Sequence, residues 1–298
     1  KVIQDINRPI VNATGGAITC INTSVNIKAQ AVPPGVTYVW TGPSNFTSAD
    51  SVIVAQLAGV YTVTVTNPDN GCTASDTAIV IEDKALPNVN AGPNKVLTCD
   101  TTSVELEGSS TTPGATFSWA GPNGATFDPS NTNATPIVNL PGTYTLTVTG
   151  PNGCIATDAV VVTEDKVPPT VTVTGGVLTC LKTSLTLTAN ASSGVTYLWS
   201  GTDVNGLTTQ SVTVDSAGIY TVTVTKTSSG CVASDTAIVT ENKVKPTVDL
   251  NTIKLTCASP SQTLTATVTN GGTASYVWTV PAGVTNPGNV ASFAVTVP

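Results

Sequence analysis

Cysteines are the side chains in this chain with chemistry to offer, and the seven of them are regularly placed. Cys20, Cys99, Cys180 and Cys257 each end an Ile-Thr or Leu-Thr step, and Cys72, Cys154 and Cys231 each follow a glycine. Histidine is absent, which removes the commonest general base and the commonest zinc ligand together. No Cys-x-x-Cys spacing offers a zinc site instead. Regular cysteines in such a chain read as a disulfide framework and hence an oxidising, extracytoplasmic setting. Two pairings fit the order. The within-repeat version joins Cys20 to Cys72, Cys99 to Cys154 and Cys180 to Cys231, leaving Cys257 without a partner. The cross-repeat version joins Cys72 to Cys99, Cys154 to Cys180 and Cys231 to Cys257, leaving Cys20 over. The first is favoured, because a Gly-Cys at the head of a last strand and a Cys ahead of an early strand could close one small domain. On the chain-entropy model such a loop of about 50 residues is worth roughly 4 kcal/mol at most.

The elements that would carry these cysteines repeat with them, at a period of about 80 residues. Each Thr-Cys is followed by an aromatic-x-Trp: Tyr38/Trp40, Phe117/Trp119, Tyr197/Trp199 and Tyr276/Trp278. Gly-x-Tyr then opens a Thr/aliphatic alternation at Gly59, Gly142 and Gly218. Alternation with period two, turn signals every 8–12 residues and no helical periodicity predict about seven strands per repeat in an antiparallel β-sandwich. Trp40, Trp119, Trp199 and Trp278, with Tyr61, Tyr144 and Tyr220, are expected to anchor the cores, since they recur in place on strands that alternate with small residues.

Charged, proline-closed joints separate the copies: Glu82-Asp83-Lys84 before Pro87, Glu164-Asp165-Lys166 before Pro168-Pro169, Glu241-Asn242-Lys243 before Pro246. Proline fixes φ and restricts its predecessor, so short joints of this kind predict a semi-rigid rod. The expected division is a tail of a preceding repeat at 1–7, repeats at 8–84, 85–166 and 167–243, and an incomplete repeat at 244–298 that lacks its last two strands. The missing strands are expected in a longer polypeptide or, as in strand-complemented fibres, from another chain.

The bulk properties exclude several functions. Eleven Lys and Arg against eighteen Asp and Glu give a net charge of −7, a poor match to nucleic-acid phosphates or an anionic membrane surface. No apolar run approaches the roughly 20 residues of a membrane helix. Acidic pairs are sparse, no phosphate-cradling glycine loop occurs and a Ser-His-Asp triad is impossible, so no enzyme is expected.

With Cys, Trp, Gly-x-Tyr and Gly-Cys in place, the chain resembles the Ig-like or PKD-like tandem repeats of large secreted adhesins of Bacteroidota, the gliding-motility adhesins being the nearest type. The matching words are Tyr38-Val39-Trp40-Thr41-Gly42-Pro43, Ala58-Gly59-Val60-Tyr61-Thr62-Val63-Thr64-Val65-Thr66 and Asn70-Gly71-Cys72-Thr73-Ala74. The resemblance implies export to the cell surface and a part in adhesion, motility or filament formation. Tyr61 precedes Cys72 by eleven residues rather than the two of antibody-type domains, so the bridge must lie away from the usual inter-sheet position.

Further candidates are weaker. Glu82, Asp83, Glu164 and Asp165 could hold calcium between repeats, although two adjacent carboxylates fall short of six to eight oxygens. Ser51, Thr77, Ser216 and Thr236 follow aspartate, in contexts similar to the O-glycosylation motif of that group of bacteria. Asn12, Asn22, Asn45, Asn133 and Asn190 stand in Asn-x-Ser/Thr contexts. The leading expectation is an extracellular stalk acting mechanically, with neighbouring repeats as its partners and no cofactor. A self-assembling filament of many copies and an array of carbohydrate-binding modules are the alternatives.

Overall fold

The computed structural model describes residues 4–270 and 272–296. Residues 1–3 of the expected tail and 271 and 297–298 of the expected incomplete repeat lie outside the described residues.

The first repeat comprises β1 (Ile10–Thr14), β2 (Gly16–Thr19), β3 (Val25–Val32), β4 (Thr37–Gly42), β5 (Phe46–Ser48), β6 (Val52–Ala55), β7 (Gly59–Thr66) and β8 (Thr73–Asp83). Its strands form two sheets, ordered β1-β3-β6 and β2-β8-β7-β4-β5. The period-two pattern decides which side chains go inside. Along β7, Tyr61, Val63 and Val65 are buried while the threonines between them face outward. The chain leaves the first sheet for the second at Gly15, where a Cβ would stand 1.9 Å from the carbonyl oxygen of Ile79. Only glycine permits that approach. The crossing makes β2 run parallel to β8, with Thr19 opposite Asp83, whereas the other ladders of this repeat are antiparallel.

The second repeat contains β9 (Lys95–Thr98), β10 (Val104–Glu105), β11 (Thr116–Ala120), β12 (Ile137–Val138), β13 (Gly142–Thr149) and β14 (Ile155–Asp165). The third contains β15 (Val171–Thr172), β16 (Gly176–Thr179), β17 (Leu185–Thr188), β18 (Asn190–Ala191), β19 (Val195–Ser200), β20 (Ser211–Val214), β21 (Gly218–Lys226) and β22 (Val232–Asn242). Their larger sheets, β11-β13-β14-β9 and β16-β22-β21-β19, repeat the order of the first, including the parallel edge. This is an all-β chain of tandem immunoglobulin-like sandwiches, and among the described residues it has no α-helix. Among the described residues three separate hydrophobic clusters, one per sandwich, enclose Trp40 and Tyr61, Trp119 and Tyr144, and Trp199 and Tyr220.

The fourth repeat is different. β23 (Thr247–Leu250), β24 (Ser261–Thr269) and β25 (Ser292–Thr296) make one three-stranded sheet. Trp278, expected as a core anchor, is only half-buried. Its indole meets Phe293 edge-on at 4.9 Å and lines an open hollow with Ala266, Val268 and Tyr276. Among the described residues no Gly-x-Tyr strand covers it.

Candidate functional site

The chain divides after Lys166 into two compact units, and the first contains two sandwiches and the joint between them. That joint is the candidate site. Its geometry follows from the parallel edge strand. Because β9 runs alongside the end of β14, with Thr98 opposite Asp165, Cys99 sits at the pole where the chain leaves its sandwich. Cys154 immediately precedes β14 and so sits at the opposite pole, where the chain enters. The 11 residues of β14 separate the two by roughly 33 Å at about 3.3 Å per residue. A disulfide requires Cα atoms within about 7 Å.

The within-repeat pairing is therefore corrected. Cys20 is bonded to Cys154, with Cα atoms 5.0 Å apart at a sequence separation of 134. The exit pole of the first sandwich is thus tied covalently to the entry pole of the second. Cys99 and Cys231 are also disulfide-bonded, so Cys99 is not waiting for the Cys154 expected for it. Cys72 and Cys180 are free thiols, as is Cys257, so neither Cys20–Cys72 nor Cys180–Cys231 forms. The cross-repeat alternative fails too, since it would need Cys72 on Cys99 and Cys154 on Cys180.

Around the bridge the contacts are specific. Asn152 turns the chain into β14: its Oδ1 accepts the Cys154 amide at 3.1 Å. Its Nδ2 donates to Asp83 Oδ1 at 2.9 Å, to the Ala85 carbonyl at 3.0 Å and, more weakly, to the Asp83 carbonyl at 3.4 Å. This amide therefore hooks the second sandwich onto the joint. Gly153 adopts φ +73°, the left-handed region that glycine enters without steric cost. A Cβ on it would lie 1.9 Å from Cγ1 and 2.1 Å from Cδ1 of Ile21, so the Ile21 side chain packs where that atom would be. Pro87 is buried, as are Pro9 and Pro169 at the equivalent places, whereas Pro246 is exposed.

The hook recurs at the entry pole of the first sandwich. Asn70 Oδ1 accepts the Cys72 amide at 2.9 Å and Asn70 Nδ2 donates to the Asn7 carbonyl at 3.0 Å. In the third sandwich Ser229 takes this position, without an amide to donate, and its buried Oγ has no hydrogen-bond partner.

The joint acids are occupied otherwise than in a cation cage. Glu82 pairs with Lys84 at 2.5 Å and Glu164 with Lys166 at 2.9 Å, both half-exposed, while Asp83 accepts from Asn152. Asp165 lies at the end of β14 opposite Thr98. No cluster of three or more His, Cys, Asp or Glu among the described residues is placed to hold a metal ion.

Trp40, Trp119 and Trp199 are at most 2% exposed, and each indole N–H donates to a carbonyl, of Asp50 at 2.9 Å, Ala134 at 3.1 Å and Thr209 at 2.8 Å. Tyr61, Tyr144 and Tyr220 donate their hydroxyls to the carbonyls four residues earlier, Leu57, Leu140 and Ser216, at 3.0, 2.8 and 2.8 Å. Burial raises the hydroxyl pKa of Tyr144 and Tyr220 above the ordinary value. Ser51, Thr77 and Thr236 are exposed and Ser216 is half-buried. Asn12, Asn22, Asn45 and Asn190 are exposed and Asn133 is half-buried.

Asp76, Asp158 and Asp235 recur in the three final strands, one acid per repeat and too few for a calcium cage, and the structure gives them another role. Asp76 Oδ2 accepts the Ala13 amide at 2.7 Å, Asp158 Oδ2 that of Ala91 at 2.8 Å, and Asp235 Oδ2 that of Val173 at 2.8 Å. Each carboxylate reaches from the last strand of a sandwich to the segment that opens it, and so clips the two sheets together. These backbone hydrogen bonds, with a second from the following residue, hold all three carboxyls below the usual aspartate pKa. The signal was an aspartate at the same place in three final strands.

No protein-family model matches the chain, and no curated protein matches it. Among solved structures it is similar to the I-band fragment I67–I69 from titin, at 14% identity over 80% of this chain and 100% of that one, with a TM-score of 0.38. It is also similar to the three N-terminal domains of the bacteriophage RB49 outer capsid protein Hoc, at 14% over 79% and 99%, with a TM-score of 0.37. Sidekick-1 immunoglobulin domains 1–5 are matched at 12% over 81% and 60%, with a TM-score of 0.35. At these values the likenesses carry no functional argument.

Proposed function

We propose that the chain is a run of stalk repeats from a large extracellular adhesin or fibre protein, of the kind its repeat words resemble, and that its work is mechanical rather than catalytic. The observation that carries this reading is the bridge from Cys20 to Cys154, which ties one sandwich to the next rather than closing either. A bond at that place does little for a single core. Its effect is on the joint, where it removes bending freedom that the buried Pro87 and the Asn152 hook already restrict. Formed disulfides belong to an oxidising compartment, which supports export from the cytoplasm. The three most buried indoles are enclosed in their cores, which leaves them unable to act as sugar platforms.

Electron micrographs of single molecules test the proposal. Oxidised chains are expected to show a narrow distribution of angles at the first joint, and reduced chains a broader one. Identical distributions would remove the mechanical role from the bridge.

A further inference from the structure

We infer that the bridge is one link of a directional covalent clasp, in which the first cysteine of a repeat closes on the second cysteine of the repeat that follows, and that Cys180 and Cys72 are complementary halves of further links. The inference rests on the stalk reading and supplies its partner: a sandwich of the same repeat type, joined pole to pole.

Cys180 presents the exit half. Thr179 stands opposite Asn242 at the parallel edge, as Thr19 stands opposite Asp83. The turn that carries the thiol is the same in both places. The Thr179 amide donates to the Lys182 carbonyl at 2.9 Å and Thr179 Oγ1 accepts the Lys182 amide at 3.0 Å. In the closed link, Thr19 makes these bonds with Asn22 at 2.8 and 3.0 Å. Beside the free, exposed Cys180, Leu181 is 99% exposed. Its counterpart Ile21 is the side chain that packs against Gly153 in the closed link. Ile21 is still 70% exposed in the closed link, so closure covers only part of such a side chain, and Leu181 has none of that cover.

Cys72 presents the entry half. Asn70 shapes the Gly-Cys turn as Asn152 does and is already hooked to Asn7, the residue equivalent to Ala85. Gly71 has φ +71°, against +73° at Gly153, and among the described residues nothing lies within 4 Å of where its Cβ would be. The seat that Ile21 fills on Gly153 is thus filled by none of the described residues on Gly71. Intramolecular pairing within a sandwich is barred at both sites by the length of the last strand, 11 residues in β8 and in β22.

Closure is a thiol–disulfide exchange. The Cys180 thiolate attacks an external low-molecular-weight or protein disulfide, forming a mixed disulfide and releasing one thiol of the oxidant. The thiolate of the incoming Gly-Cys then displaces the second. The two cysteine thiols lose two protons and two electrons, and the oxidant is reduced to two thiols.

The test joins a second copy of residues 167–241 ahead of Asp5, so that Glu241 precedes Asp5 as Glu82 precedes Asp83, in a chain whose own Cys180 is changed to serine. After equilibration in oxidised and reduced glutathione, non-reducing peptide mapping is expected to recover the added Cys180 linked to Cys72. A companion chain extended after Pro298 with a copy of residues 218–243 is expected to link its own Cys180 to the added Gly-Cys, with Cys257 still alkylated. Cys72 alkylated in the first chain together with Cys180 alkylated in the second overturns the inference, as does Cys257 linked to the added Gly-Cys. The same maps report on Cys20 and Cys154. Loss of that link would sink the stalk reading itself, whereas its presence beside unlinked Cys72 and Cys180 sinks only the extension.

Discussion

Cutting the bridge between Cys20 and Cys154 is the most informative perturbation, because its consequences are calculable. The cysteines are 134 positions apart, and the chain-entropy model gives a loop of that size about 5 kcal/mol when both enclosed sandwiches unfold. This is an upper figure, since a compact denatured chain has less entropy to lose. The mechanical effect is larger and easier to read. A chain of 134 links extends to about 450 Å when fully drawn, and none of that length is released while the bridge holds. The assay is single-molecule pulling from both ends of a chain that keeps only Cys20 and Cys154, the other five cysteines being serine. The oxidised chain should show a total contour shorter by about 450 Å than the same molecule in reductant. In bulk, reduction should lower the denaturant midpoint and separate the unfolding of the first sandwich from that of the second. Equal contour lengths, or superimposable denaturation curves, would refute the argument that the bridge spans two independently folded cores.

Other expectations follow from the same joint and cores. Gly153→Ala should cost about 1–2 kcal/mol in left-handed strain and also displace Ile21, and a glutathione titration should show the Cys20–Cys154 bridge reduced more readily. Asn152→Ala removes the amide hook and should weaken the joint by about 1 kcal/mol, read as faster hydrogen exchange in the joint and at Cys154 with the core strands unchanged. Asp76, Asp158 and Asp235 have folded pKa values below the unfolded value of about 3.9. Their contribution is present above that pH and lost as pH falls through the folded values. Acid titration of unfolding should therefore show stability falling below about pH 4, less steeply in an Asp76→Asn, Asp158→Asn, Asp235→Asn variant. Tyr144→Phe deletes the bond to the Leu140 carbonyl and should cost about 1 kcal/mol by urea denaturation, with the fold retained.

Most of the secondary structure was legible because it follows from alternation. Tyr61, Val63 and Val65 against Thr62 and Thr64 can satisfy a buried face and a wet face only as a strand, and the same words recur in β13 and β21. The sheet that the chain joins after Gly15 was not legible, because parallel pairing of β2 with β8 depends on a carbonyl 64 positions away, at Ile79. Every error about the cysteines descends from that point. With β2 placed as an ordinary early strand, Cys20 and Cys72 look like neighbours; on the parallel edge they lie at opposite poles. Trp278 failed for another reason: the aromatic-x-Trp word was present, but the strand that should face it is not among the described residues.

The sequence by itself determined what the first three repeats are: small sandwiches, each around an indole and a buried tyrosine, separated by charged, proline-closed joints. Those properties are local, fixed by side-chain period and backbone stereochemistry within some 80 residues. Only the tertiary structure decided which cysteine meets which. That depends on the pole at which each thiol emerges, and the pole is set by a long-range choice of strand direction to which composition and spacing are blind.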